Sequence, residues 1–279
     1  MKKYLIFAAV ATMFAACSQN DDPVLQDKDT PITIASAGVN DLVASRTATP
    51  LIEGSLGLYV YGTGLDGKYE ATNLQWAYET DKWVNKGTQL VYAGASKQSA
   101  YAYYPYDVNA YASGFNIDGT TDLLWWKSSN TLDKDKISIN FTHALSLLTI
   151  NLTNGTDVEE TITGVTVGGT RLTATPDFAQ NSWSSVTGEV ADISATATTT
   201  ASGMDATYTV LLIPQSTSAL KITITAGNRT FVYTLSDEQE FVAGTAYTLN
   251  LKIGADKVTP GKISAANWSP ITSDNLVTE

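Results

Sequence analysis

From residue 31 onward, apolar side chains recur at every second position, and that period does most to limit what the chain can fold into. Period two sends successive side chains to opposite faces of a strand, whereas a helix facing a core needs apolar residues at i, i+3, i+4 and i+7. No stretch keeps the helical pattern long enough, so the fold is expected to be all-β. In "GSLGLYVYG", Leu56, Leu58 and Val60 alternate with Gly57, Tyr59 and Tyr61. "SAYAYYPY" reads as a strand that stops at Pro105, which has no N–H for a ladder. "LKITITAGNRTFVYTL" predicts a hairpin turning at Gly227-Asn228, and "AYTLNLKI" supplies Tyr247, Leu249, Leu251 and Ile253 in strict alternation. Gly168-Gly169 reads as a second tight hairpin turn, and the Thr/Ala/Ser run 194–202 as either a loop or a surface strand.

The longest run, "ISINFTHALSLLTINL", changes phase part way. Ile137, Ile139 and Phe141 share one parity, and Leu148, Ile150 and Leu152 the other. A phase change around His143 to Leu147 predicts a bulge or a strand that changes sheets. The polar, acidic stretch 153–161 that follows contains Asn-Gly and reads as the join between two halves, 47–155 and 156–279. Short strands with turn signals between them suggest one β-sandwich in each half.

The N-terminus reads as an export segment. Lys2 and Lys3 precede an apolar run, Tyr4 to Phe14, which is too short for the ~20 residues of a membrane span. Residues 1–16 are therefore a signal peptide. Phe14-Ala15-Ala16-Cys17 resembles a bacterial lipobox, in which the cysteine is acylated and becomes the new N-terminus. Cys17 is the single cysteine of the chain, so it has no internal disulfide partner, and its thiol is the nucleophile such acylation needs. Several acyl chains on one cysteine anchor a protein stably in outer-membrane lipid. Residues 17–46 are then a lipidated tether followed by a first strand, the polar part Ser18 to Thr30 reaching ~45 Å when extended.

Little in the sequence points to catalysis. The net charge of −11 repels phosphates and argues against a nucleic-acid partner. Nucleophilic catalysis wants an imidazole beside a nucleophile, but the one histidine, His143, sits in an apolar strand and reads as a core or edge residue. A zinc site lacks its ligands, so no metal and no cofactor are expected. Asp133/Asp135, Asp157/Glu159/Glu160 and Asp237/Glu238/Glu240 read as solvated loop charge, without the glycine-spaced pattern of a calcium loop. Trp125 and Trp126, with the tyrosines of 101–111, form a possible aromatic platform for a host or bacterial surface ligand such as a glycan, or else pack in a core. The chain is not expected to be an enzyme.

"GLYVYG", "AYAYYPY", "DLLWW", "ISINFTHALSLLTINL", "LLIPQ" and "FVAGTAYTLNLKI", in that order, resemble the fimbrillin family, the Mfa-like lipoproteins that form or decorate type V pili. The resemblance runs from about Ile32 to Ile253. It implies two β-sandwich domains of transthyretin-like type, export as an outer-membrane lipoprotein, and assembly with other fimbrial subunits at the cell surface for adhesion. It also implies a cut by an arginine-specific protease after the first strand, which Arg46-Thr47 matches by position and flanking residues. The departing strand would lie in 31–45, with Ile32, Ile34, Leu42 and Val43 as anchors. The incoming strand of a neighbour would come from 261–279, where Ile263, Trp268, Ile271 and Leu276 are the candidate anchors. Two other readings stay open: an anchor or accessory subunit that is never cut, and a glycan-binding surface lipoprotein.

Overall fold

The computed structural model describes residues 30–40, 48–62, 67–93, 98–129, 131–132, 135–155, 161–255 and 257–268. Cys17, Leu42, Val43, Arg46, Thr47, Ile271 and Leu276 lie outside them, as do Asp133 and the 156–160 acidic group.

The first half supplies β1 (Thr33–Val39), β2 (Thr49–Pro50), β3 (Ser55–Tyr61), β4 (Ala71–Glu79) and β5 (Lys82–Asn85). It continues with β6 (Ser99–Tyr104), β7 (Phe115–Asn116), β8 (Leu124–Lys127) and β9 (Lys136–His143). Next come β10 (Ser146–Asn154), β11 (Ile162–Asp177), β12 (Ser182–Ser194), β13 (Thr196–Ala197) and β14 (Ala206–Leu212). The last are β15 (Ser216–Thr217), β16 (Lys221–Ala226), β17 (Arg229–Thr234), β18 (Gln239–Glu240), β19 (Thr245–Ile253) and β20 (Val258–Asn267). The fold is all-β, as the alternation requires.

Eight strands make one sheet in the order β2-β1-β9-β8-β6-β3-β4-β5. The sheet curls until its ends approach, with β1 near β5, and its inner face encloses a core of Leu56, Leu58, Trp76, Trp83, Ile139 and Phe141 among others. A second sheet, β13-β14-β10-β19-β20, faces a third, β12-β11-β16-β17, with β7 added to β11. Leu148, Ile150, Leu152, Leu249 and Leu251 from one and Val165, Val167, Ile222 and Ile224 from the other interdigitate as a sandwich core.

The phase change in the long apolar run is a change of sheet. β9 ends at His143 and β10 begins at Ser146, and Ala144 and Leu145 between them are fully buried. β9 faces the first core and β10 the second. The polar 153–161 stretch therefore follows the crossing between sheets, and residues 146–154 run with the second half, pairing with β14 and β19. Composition marked the end of a strand there, because turn residues look the same whether or not the next strand stays in the same sheet.

Gly168-Gly169 is not a hairpin turn. It lies inside β11, where the pairing with β12 slips between Val167 and Thr170, and Gly169 holds φ +87°. A bulge and a turn ask for the same positive φ, and here both flanks of the glycines found partners, β12 on one side and β16 on the other. The hairpin at Gly227-Asn228 forms as read, with Ala226 opposite Arg229. In the 194–202 run Ser194 ends β12 opposite Thr166, Thr196 and Ala197 pair with β14, and 198–202 are exposed loop. β6 does end at Pro105, through a cis Tyr104-Pro105 bond.

Between β7 and β8 the chain is held by Asp118, whose carboxylate accepts from the amides of Thr120 and Thr121 (2.8 and 2.6 Å) and from both their hydroxyls. Burial alone would raise its pKa, but these bonds outweigh it and bring the group down to about 2. A carboxyl held below its unfolded value of ~3.9 contributes stability above that pH, and loses the contribution as pH falls through about 2. Asp118→Ala is thus expected to lower stability at neutral pH and to converge with the parent chain as the pH drops towards 2, read from urea unfolding across pH. Gly169→Ala forces an L residue to positive φ and drives its Cβ into the Ala219 carbonyl oxygen. It is expected to cost roughly 2–4 kcal/mol in the same measurement.

Candidate functional site

The first strand is the element on which a strand-exchange function would turn. Ile32 and Ile34 point inward at period two, and both are buried, Ile34 to 5% exposure. Ala35 is an extra residue: Ile34 pairs with Ile137, and Ser36 already pairs with Ser138. That bulge shifts the phase, so that Ala37 rather than Ser36 turns into the core. Gly38 follows because a Cβ there would stand 2.8 Å from the Thr49 carbonyl oxygen.

β1 runs parallel to β9 from Thr33↔Lys136 to Val39↔Phe141. The ladder is extended at its ends by Thr33 N–H to the Asp135 carbonyl (2.6 Å) and Asn40 N–H to the Phe141 carbonyl (2.8 Å). The other edge of β1 is covered only in part. β2 pairs with Gly38 and Val39, the Leu51 amide donates to the Ala37 carbonyl, and the Ile32 amide donates to the Val91 carbonyl (2.7 Å). Pro31 bridges to Tyr92, so the strand closes the seam of the curled sheet. A shallow cleft of about 170 Å³ opens beside it, walled by Ala37, Leu51, Tyr78 and Trp83. Ile32 and Ile34 each contribute roughly 1.5–3 kcal/mol by burial, and their removal would open pockets of that worth along an unpaired edge of β9.

Two of the C-terminal candidates, Ile263 and Trp268, are engaged within this chain. Ile263 lies in β20 opposite Leu249 of β19, at the outer edge of the second sheet. Trp268 is 7% exposed, donates its amide to the Gly244 carbonyl (3.0 Å) and stacks on His143 with ring centroids 3.6 Å apart. His143 Nδ1 meets Asp122 Oδ2 at 2.6 Å. Burial pushes the Asp122 carboxyl up, against the pull of this hydrogen bond. The histidine is a core residue with a carboxylate partner that the sequence did not indicate, since Asp122 sits 21 positions away in a loop.

Trp125 and Trp126 do not form one platform, because neighbours on a strand face opposite ways. Trp125 is 4% exposed and packs beside Trp183, while Trp126 leans on the first core and borders a separate cleft with Ser128, Lys136 and Asn140. The aromatic surface instead belongs to Tyr59, Tyr61 and Tyr101 on β3 and β6, beside the fully buried Tyr103. Tyr59 and Tyr101 are direct cross-strand partners and stack at 4.5 Å. Their alternation within "LYVY" and "YAYY" was the available signal. Asp237, Glu238 and Glu240 are exposed loop or strand-end charge.

An all-β chain with one curled sheet, one two-sheet sandwich and a first strand parallel to a distant partner defines a β-sandwich protein. It belongs to the fimbrillin-like family, whose model matches residues 46–268. The fold is similar to that of a candidate cell adhesion protein from Bacteroides uniformis, with 18% identity, TM-score 0.63, and 86% of this chain and 99% of that one covered. A second candidate cell adhesion protein, from Bacteroides ovatus, aligns with 16% identity, TM-score 0.66 and coverage of 86% and 98%. A fimbrial protein from Bacteroides vulgatus aligns with 15% identity, TM-score 0.56 and coverage of 86% and 100%. Comparison with curated proteins gives no match.

Ile34→Ala is expected to weaken the docking of β1 before anything else. Unfolding should cost ~2–4 kcal/mol less, and limited proteolysis should reach 30–40 faster while β10–β19 stays protected.

Proposed function

We propose that this chain is a structural subunit of a cell-surface fimbrium, delivered as an outer-membrane lipoprotein through Cys17 and matured by cleavage between Arg46 and Thr47. The observation that bears most weight is the position of β1. Among the described residues it is the one strand before Arg46, it is hydrogen-bonded to β9 along its length, and with Ile32, Ile34 and Ala37 it fills the seam of the curled sheet. A cut between β1 and β2 severs the connection that keeps β1 local. Its departure would leave a row of unpaired groups on β9 above an apolar groove, and an extended segment of a neighbouring subunit satisfies both needs at once. Because donor and groove lie on different parts of the molecule, the contact is head-to-tail and grows as a filament.

The donor segment is best sought beyond Trp268. Ile263 and Trp268 already serve their own sheet and core, whereas Ile271 and Leu276 are the apolar candidates that remain; five positions apart, they would both face one groove only across a bulge. In this reading the chain's partners are other fimbrial subunits and membrane lipid, its location is the cell surface, and its work is assembly and adhesion rather than catalysis.

A second reading is supported by the same ladder. With β1 in place the sheet needs nothing from outside, which suits an anchor or accessory subunit that keeps its lipid and stays uncut.

The N-terminus of protein taken from the cell surface separates the two: Thr47 for the matured subunit, an acylated Cys17 for the anchor. Treating purified precursor with an arginine-specific protease should release everything up to Arg46 and start polymerisation. Arg46→Ala should abolish both, and filaments of normal length from that variant would sink the mechanism.

A further inference from the structure

The β11–β12 hairpin reaches out of the sandwich, and its tip lies on the tyrosine face of the curled sheet. Phe178 at the tip stacks on Tyr103, centroids 4.2 Å apart and nearly coplanar at 10°. Behind it, Trp183 donates its indole N–H to the Ala144 carbonyl at 2.8 Å. The tip covers Tyr103 but stops short of Tyr59 and Tyr101, which stay half-exposed. The space left between them is an open cleft of about 470 Å³.

Its lining mixes two chemistries. Pro176, Phe178 and Ala110 give it apolar wall, and Tyr59, Tyr101, Asn109, Asp177 and Ser184 bring polar groups to the same space. Among the described residues nothing accepts from the Tyr59 or Tyr101 hydroxyl, so both donors point at solvent or a ligand. Burial first, and then the Tyr101 and Tyr106 hydroxyls, push the Tyr59 phenol up to about 12. Tyr101 is raised by burial, Tyr61 and Asp177, so both remain protonated donors at neutral pH. One oxygen of Asp177 accepts from the Gln180 amide at 3.1 Å, which fixes the carboxylate at the base of the tip.

The opposite wall is rigid. Ala110 and Tyr111 are held at φ +50° and +54°, a conformation that costs non-glycine residues energy. Asp107 enforces it: its carboxylate accepts from the Asn109 and Tyr111 amides at 2.9 and 3.0 Å, and its carbonyl accepts from the Tyr103 hydroxyl at 2.6 Å. The Asn73 side chain adds bonds to the Asp107 and Val108 carbonyls, at 3.0 Å each. A preformed wall of this kind loses little freedom on binding.

We propose that this cleft binds an uncharged sugar residue of a surface oligosaccharide, with the ring's C–H face against Phe178 and Pro176 and its hydroxyls bonded to Tyr59, Tyr101 and Asp177. A pyranose presents apolar C–H patches and hydroxyls together, which matches a cleft whose walls both carry apolar and polar groups. The lining holds a carboxylate and no Lys, Arg or His, so sialic and uronic acids meet like charge, reinforced by the chain's net −11. The site is independent of β1 and of any cut at Arg46, and it is not the Trp125/Trp126 location.

The test is a glycan array probed with the full chain, carrying mannose-, galactose- and N-acetylglucosamine-terminated oligosaccharides beside sialylated ones, followed by calorimetric titration of the strongest binder. Binding should fall on the neutral set. Tyr101→Phe, which keeps the ring stack, and Asp177→Asn should each weaken it by roughly tenfold, with the larger loss for the charged acceptor. Trp126→Phe should leave it unchanged, and the melting temperature of each variant shows whether the fold is retained. Silence across the neutral set, preference for sialylated glycans, or affinities within about twofold in both folded cleft variants would overturn the proposal.

Discussion

Everything in this molecule hangs from the passage of β9 into β10. Two alternating runs of opposite phase are joined by the buried pair Ala144-Leu145, so one continuous stretch supplies a strand to each core. Among the described ladders the only parallel ones are on these two strands: β1 lies parallel to β9, and β19 lies parallel to β10. Parallel neighbours cannot be made by a tight turn and must arrive from far along the chain. The 136–154 segment is thus the template on which both the first strand and the C-terminal β19–β20 pair are laid down.

That arrangement explains why β1 is well held and what the proposed strand exchange would have to break. It is well held because a full ladder and three inward side chains fix it to β9. Among the described ladders only the two-residue β2 pairs with it besides β9, so the proposed exchange would break few other contacts. The proposed strand addition would use a contact of the same kind, since β1 itself reaches β9 from far along the chain and runs parallel to it. A neighbour's backbone need only repeat what the chain's own first strand does.

The halves are tied together by aromatic packing rather than by ladders alone. The short pairing of β7 with β11 starts the contact, and the long β11–β12 hairpin completes it by laying Phe178 and Trp183 on Tyr103, Phe115 and Trp125. Stacked rings bury large areas with few rotatable bonds, so they set the hairpin tip firmly. The same contact leaves the Tyr59–Tyr101 pair at its margin, which is where the second core's reach ends and the cleft begins.

Much of this was legible in the sequence because strand periodicity is local. Leu56, Leu58 and Val60 declare their face without reference to any partner, and the phase slip after His143 announces a bulge or a change of sheet. The Gly227-Asn228 hairpin is equally local, since turn chemistry and both strands lie within one short stretch. What failed to be legible depended on partners. Whether Gly168-Gly169 turns the chain or bulges it was decided by β12 and β16 lying on both flanks, and the placement of β10 by β14 and β19. The partner of His143, the burial of Trp125 away from Trp126, and the meeting of Tyr59, Tyr101 and Asp177 are juxtapositions of distant residues. The sequence by itself determined that the chain is built of strands and, between bulges, which side chains share a face, because the alternation of the backbone settles that residue by residue. The tertiary structure decided which strands are neighbours and which surfaces stay uncovered, because the free energy of pairing and packing is shared between segments that the chain order keeps apart.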